Sequence, residues 1–337
     1  ELDRSLDLAA QGNAPVRSQV DILIDTLKAP KFQMWRVVRF EGVEHVENNF
    51  ASLEALVKMG SSAVEPLARA VKDGDSETRT WAAVALAKLG DKRAVEPLIV
   101  MLRERSSKRR CWAAFELGTL GDKRAIEPLI AAVSDDDGRT RTVSVDALGR
   151  LGDSRAVMPL IAALRNDGWG YIRPAAARAL GKLGGQRAVA ALISALNMPT
   201  YGNEAAESLV ANHPSSAAKQ LIAALSDDSC SVRDRVVCIL GRLGDRQAVE
   251  PLIATLKGQD TAARIAAAWA LGQLQDKRAV EPLKNALKSG DAGLQERSAE
   301  ALCRLVHMRE AQRLIASVQR KPRYAVWPFD AKEAVRR

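Results

Sequence analysis

The sequence predicts an all-α chain: a right-handed α-solenoid of about nine antiparallel helix pairs with a 31-residue period. Three observations carry that prediction. The decapeptide "GDKRAVEPLI" at Gly90–Ile99 returns as "GDKRAIEPLI" at Gly121–Ile130. The alanine of the Ala-Val pair recurs at Ala63, Ala94, Ala125, Ala156, Ala188, Ala248 and Ala279, with weaker matches at Ala217 and Ala311. Each unit also holds two apolar stretches with helical spacing. In Arg93–Leu102, Val95, Leu98, Ile99 and Leu102 fall on one face.

The elements follow in order. "PVRSQVDILIDTLKA" (Pro15–Ala29) reads as a first helix and "ENNFASLEALVKMG" (Glu47–Gly60) as its partner, with a long insertion, Pro30–Val46, between them. Residues 1–60 are expected to be an N-terminal capping repeat, because an end repeat must shield an open core. Residues 61–314 are the repeats. In each, the first helix is a "RAVEPLI" segment, and the second is rich in Ala and Leu, as in Arg79–Gly90, where small residues let helices approach closely. Gly90, Gly121, Gly152, Gly184 and Gly244 follow second helices, where a left-handed residue needs no Cβ. Asp91, Asp122, Asp153, Asp245 and Asp276 are placed to cap the next helix, and Pro66, Pro97, Pro128, Pro159, Pro251 and Pro282 to lie in its first turn. Residues 315–337 form a C-terminal cap or tail, with Tyr324, Trp327 and Phe329 folding back on the last repeat.

The string "AAxALGxLGDxRAVxPL" resembles the HEAT-like repeat first named in phycobilin lyases, over roughly Ser61–Leu314. The resemblance implies a solenoid whose second helices line a concave face. It is weak for function, because one fold serves many tasks.

The 337 residues are 47% hydrophobic, and 50 basic against 41 acidic residues give a formal net charge of +9, which favours an acidic partner. Cys111, Cys230, Cys238 and Cys303 have no CxxC spacing; Cys111, Cys238 and Cys303 fall in second helices at largely buried columns, which reads as small core residues in a reducing, cytoplasmic setting. No apolar run approaches membrane-spanning length, so no membrane association is expected.

In a solenoid, equivalent positions line up as columns. Counting back from the closing leucine of each second helix (Leu89, Leu120, Leu151, Leu183, Leu243, Leu274, Leu305), position −10 is Arg79, Arg110, Arg141, Arg173, Arg233 and Arg264. A phosphate ladder is one reading of these arginines. The favoured one is structural, each Arg bonded to turn carboxylates and carbonyls. The "DKR" turn arginines Arg93, Arg124, Arg155, Arg187 and Arg278 read as a solvated edge balanced by nearby Asp and Glu. Positions −8, −5 and −1 share one helical face and vary. They give the candidate binding residues Trp81, Trp112, Phe115, Asp146, Arg178, Arg235, Arg242 and Trp269. Trp and Arg most often anchor interfaces. Packing of Trp81 and Trp112 between repeats is the competing reading. A second candidate is the irregular repeat around Asn197–Ser216, which lacks the column Arg, replaced near Gly202, and the closing "LG". It suggests a central site of Trp169, Tyr171, Tyr201, Glu204 and Glu207. Drift that bends the solenoid is the alternative.

No catalytic residue is assigned. His45, His213 and His307 stand in "HV", "HP" and "HM", without the His-Glu pairs by which similar deoxyhypusine hydroxylases hold two irons, so neither metal nor cofactor is expected. Three functions stay open. The preferred one is a non-enzymatic scaffold holding another protein with an acidic surface. The second is a bilin or phycobiliprotein partner, with Arg173, Arg178, Arg235, Trp169 and Tyr171 about the pigment, as the resemblance implies; an enzymatic role would then be bilin attachment. The third is nucleic acid, against which Asp146, Glu207 and Glu300 interrupt a phosphate track.

Overall fold

The structure, a computed structural model, describes residues 20–21, 23–25, 35–40, 43–48, 51–166, 168, 170–212, 217–225, 232–306 and 308–318. The helices are α1 (Ala51–Lys58), α2 (Ser61–Asp73), α3 (Ser76–Lys88), α4 (Val95–Met101), α5 (Ser107–Leu120), α6 (Ile126–Ala132), α7 (Gly138–Leu151), α8 (Val157–Asn166) and α9 (Ile172–Leu183). They continue as α10 (Gly185–Ala195), α11 (Gly202–Asn212), α12 (Ala217–Leu225), α13 (Arg233–Leu243), α14 (Val249–Leu256), α15 (Thr261–Leu274), α16 (Val280–Ala286), α17 (Ala292–Leu305) and α18 (Met308–Val318). This is the expected α-solenoid pattern of alternating first and second helices. The chain divides into two compact units, the first ending at Leu183 and the second beginning at Gly184.

One element departs from all-α. Within the insertion, β1 (Trp35–Phe40) and β2 (Val43–Asn48) pair antiparallel, with Trp35 opposite Asn48 and Phe40 opposite Val43. "WRVVRF" and "VEHVEN" are rich in β-branched and aromatic residues, which favours strands over helix. The strand takes up Glu47 and Asn48, so α1 starts at Ala51, later than expected. Residues 319–337, with the expected fold-back of Tyr324, Trp327 and Phe329, lie outside the described residues.

The turns obey a simple rule. Gly90, Gly121, Gly152 and Gly244 adopt φ between 68° and 78°. The Asp that follows accepts from the amide two residues on, as Asp91 does from Arg93 N, and closes a 3₁₀ turn such as Lys92–Ala94 before the first helix. Pro97, Pro128, Pro159, Pro251 and Pro282 are then the third residue of their α-helices, where no amide donor is missed. Before α2 and α10 the Asp is replaced by Ser61 and Gly185; there the helix starts at once, and Pro66 lies well inside α2 rather than in its first turn.

The second helices pack side by side through a seam that the sequence reading did not assign. Gly118, Gly149, Gly241 and Gly272, two before the closing leucine, lie against Ala147, Ala179, Ala270 and Ala301 of the next second helix. A Cβ on Gly149 would stand 2.9 Å from the Ala179 Cβ and 3.0 Å from its Cα. Leu86, Leu98, Leu117, Ile126, Leu129 and Leu148 fill the core beside this seam, each fully buried and each contributing about 1.5–3 kcal/mol of apolar burial.

Candidate functional site

The arginines ten before the closing leucine are structural where the structure shows their partners. Arg110 of α5 donates Nε and Nη2 to the two Asp135 oxygens at 2.8 Å each, Nη1 to the Glu104 and Arg105 carbonyls at 3.0 Å, and Nη2 to Asp136. Arg141 takes the Asp135 and Asp136 carbonyls, and Arg264 the Leu256 carbonyl. Arg110 and Arg141 thus satisfy carbonyls of the turn that follows the preceding first helix, and Arg264 one at the end of that helix itself. The neighbouring carboxylates divide the remaining work: Asp75, Asp137, Asp260 and Asp291 cap α3, α7, α15 and α17.

The same rule explains the irregular repeat. Gly202 stands where the column arginine would be, and Arg235 of the next repeat donates to the Leu196 carbonyl instead. A Cβ at Gly202 would lie 2.7 Å from the Arg235 guanidinium. A Cβ there would also stand 2.5 Å from the Leu196 carbonyl oxygen, so glycine leaves room for that carbonyl and for the borrowed arginine, and Arg235 serves as a helix-end donor. Tyr201 is buried, Glu204 half-buried and Glu207 exposed in the second unit; Tyr171 is 58% exposed in the first, and Trp169 lies outside the described residues. The structure does not bring these five together within one described unit.

The turn arginines form a ladder. Arg93, Arg124, Arg155 and Arg278 each bind their own turn Asp and reach Glu65, Glu96, Glu127 and Glu250, respectively, of the preceding repeat at 2.9–3.2 Å. The guanidinium hydrogen bonds hold the Asp122, Asp153 and Asp276 carboxyls down at about 2.

The remaining candidates do meet across the seam. Trp81 and Trp112 lie 4.8 Å apart at 60°, and the Trp81 indole N–H donates to Glu77, which also binds Arg109. Trp81 is only 5% exposed, so it packs between α3 and α5; Trp112 and Phe115 of α5 are half-buried and reach the surface. The Arg150 guanidinium sits 5.0 Å over the Phe115 ring, a geometry favoured by the ring quadrupole. Arg178 lies 3.8 Å from Asp146, and Arg242 makes a two-pronged pair with Glu207 at 2.7 and 2.8 Å. That pair holds Glu207 below the ordinary carboxylate range. Trp269 is half-buried beside Gly241.

One residue was missed. Glu116 is buried at a column filled by Ala147, Ala179, Ala270 and Ala301 in other repeats, and Lys88 reaches it at 3.4 Å. Its odd residue type in an alanine column was the available signal. Cys111 is buried and its thiol pushed up to about 12, by burial first and nearby carboxylates second. Cys238 and Cys303 are half-buried and also raised by burial. Among the described residues no cluster of His, Cys, Asp and Glu could hold a metal, and no helix is long and apolar enough to cross a membrane.

The family profile for HEAT repeats matches residues 44–114, 95–173, 144–210 and 218–303. No curated protein sequence matches the chain. Among solved structures, the CpcE–CpcF complex of phycocyanin lyase from Nostoc sp. PCC7120 is similar at 24% identity over 67% of this chain and 94% of that one, with a TM-score of 0.36. Importin beta is similar at 13% identity and a TM-score of 0.51, over 86% of this chain and 45% of that one. Kap95p, solved with RanGDP, gives 13% and 0.50 over 96% and 53%. The last two share the solenoid fold.

Proposed function

The chain belongs to the HEAT-repeat family, and we propose that it is a non-enzymatic scaffold, working in the cytoplasm, that binds a partner protein with an acidic surface through the face of its second helices. The seam carries this reading. Glycine against alanine locks successive second helices in register, so the columns outside the seam offer variable side chains on a rigid support. In the first unit these are Trp112, Phe115, Arg150, Asp146 and Arg178; in the second, Arg242, Glu207 and Trp269. Half-buried aromatics next to arginine are the groups that anchor protein interfaces. The net charge of +9 supports an acidic partner, and the free thiols of Cys111, Cys238 and Cys303 support a reducing compartment.

The test is affinity purification from host lysate, nuclease-treated, with the wild-type chain and with Trp112→Ala/Phe115→Ala as baits. A defined protein retained by the first and lost by the second is expected. Retention that vanishes with nuclease would replace the protein by nucleic acid, and a coloured eluate would replace it by a bilin-bearing partner.

A further inference from the structure

The charges on the second-helix face of the first unit are layered. Glu116 and Asp146 lie low, with side chains 6% and 13% exposed. The cations they hold stand higher: Lys88 at 32% and Arg178 at 35%. The column just before the closing leucine continues this outer layer. Lys88, Thr119 and Lys182 are exposed, and Arg150 lies over Phe115. Acids below and cations above give a face whose outermost charges are positive. Trp112 and Phe115, three residues apart on α5, provide an apolar step beside the column.

Resting on the scaffold reading, we propose that this face takes an extended acidic segment of the partner, its carboxylates three residues apart on the Lys88–Arg150–Lys182 column and an apolar side chain against Trp112 and Phe115. The spacing argument is geometric. Packed helices stand about 8–10 Å apart, and the contacts of Gly118 with Ala147 and Gly149 with Ala179 set that step between repeats. A segment in the extended polyproline-II conformation advances about 3.1 Å per residue with three residues per turn, so every third side chain points the same way and advances by about one repeat. A helical segment needs about seven residues for the same advance and would offer far fewer carboxylates per length. The Arg150 fork can grip a carboxylate while its flat face stays on the ring. Glu116 is a positioning residue that holds the Lys88 head at the column, and Asp146 holds Arg178 beside it. Thr119 is the gap in it.

The full chain is titrated with a fluorescein-labelled twelve-residue probe bearing Glu at every third position and one central Leu, read by anisotropy. A probe with Lys for Glu is the control. Binding of the acidic probe alone is expected, weakening about tenfold between about 50 and 200 mM salt, as a few charge contacts would. Lys88→Glu and Lys182→Glu should each weaken it about fivefold or more. Thr119→Lys should tighten it severalfold, and circular dichroism should show all three folded. Equal binding of the Lys probe, or no response to Lys182→Glu and Thr119→Lys, overturns the proposal. If the acidic probe fails while capture of a lysate protein still depends on Trp112 and Phe115, the acidic segment is wrong and the scaffold reading stands. If capture too is indifferent to those aromatics, the scaffold face is wrong as well.

Discussion

Arg110→Ala isolates what the arginine column does. The wild-type guanidinium holds Asp135 with two bonds of 2.8 Å and the Glu104 and Arg105 carbonyls at 3.0 Å; Arg110 and Asp135 are both about nine-tenths buried. Removing one partner of a buried ion pair costs about 3–5 kcal/mol, because the other charge is left uncompensated. Asp135 keeps the Asp137 amide at 2.9 Å, which lowers that cost, and the two carbonyls add about 1 kcal/mol each at most. The expected loss is about 2–4 kcal/mol. Denaturant unfolding followed by fluorescence gives the global value, and hydrogen exchange over residues 104–151 shows where it falls. The loss should be local, since repeats couple to neighbours. Burial alone would raise the Asp135 carboxyl, but bonds from Arg110 and the Asp137 amide hold it below its ordinary value. A depressed carboxyl contributes stability above its unfolded pKa, about 4, and loses it as the pH falls through the folded value. The gap between wild type and Arg110→Ala should therefore narrow on acidification. In an Asp135→Asn background, Arg110→Ala should cost less than half as much. A variant within about 0.5 kcal/mol of wild type at pH 7 that selectively loses partner binding would refute the structural assignment.

Gly149→Ala should cost about 1–3 kcal/mol, because its Cβ meets backbone as well as side chain at Ala179; Ala179→Gly should recover only part, as the Cα at 3.0 Å remains. Gln275, with φ 51° where other repeats use glycine, is the one non-glycine at positive φ among the described residues, and Gln275→Gly should stabilise by about 0.5–1 kcal/mol in the same denaturation assay. With Asp122, Asp153 and Asp276 held at about 2, melting temperature should be flat from about pH 5 upward and fall between about pH 4 and 2; Asp153→Asn should flatten that fall, and an unchanged profile would show the ladder to be idle.

The fold was legible because its punctuation is written in residues with one conformational use. Gly90 and its equivalents sit at positive φ, the aspartates close the 3₁₀ turns, and every one of these prolines but Pro66 sits where no amide is missed. The hairpin was not legible once the repeat frame assigned its flanks to helices. The seam glycines were hidden for another reason: in "LGxLG" both glycines look like helix stops, and only contact with the next helix shows that Gly118 and Gly149 are inside. The proposed binding face was half legible. Periodicity placed Trp81, Trp112, Phe115 and Arg150 on adjacent positions, but it could not say that Trp81 is covered while Trp112 emerges, because depth depends on the neighbouring helix.

That dependence also separates the two kinds of arginine. Arg235 and Arg242 lie seven residues apart on α13 and look equivalent as exposed cations. Arg235 donates to the Leu196 carbonyl, and a side chain at Gly202 would collide with both that carbonyl and the guanidinium. A change at either residue disturbs the other. Arg242 pairs with Glu207, exposed at both ends, and either can change with little effect on folding. On the proposed scaffold function, substitutions at positions −1 and −5 would therefore alter the partner while the seam and the helix-end arginines stay fixed. Arg235→Ala should lower the melting temperature of the second unit, whereas Arg242→Ala should leave it within about 1 °C; equal destabilisation by both would remove this distinction.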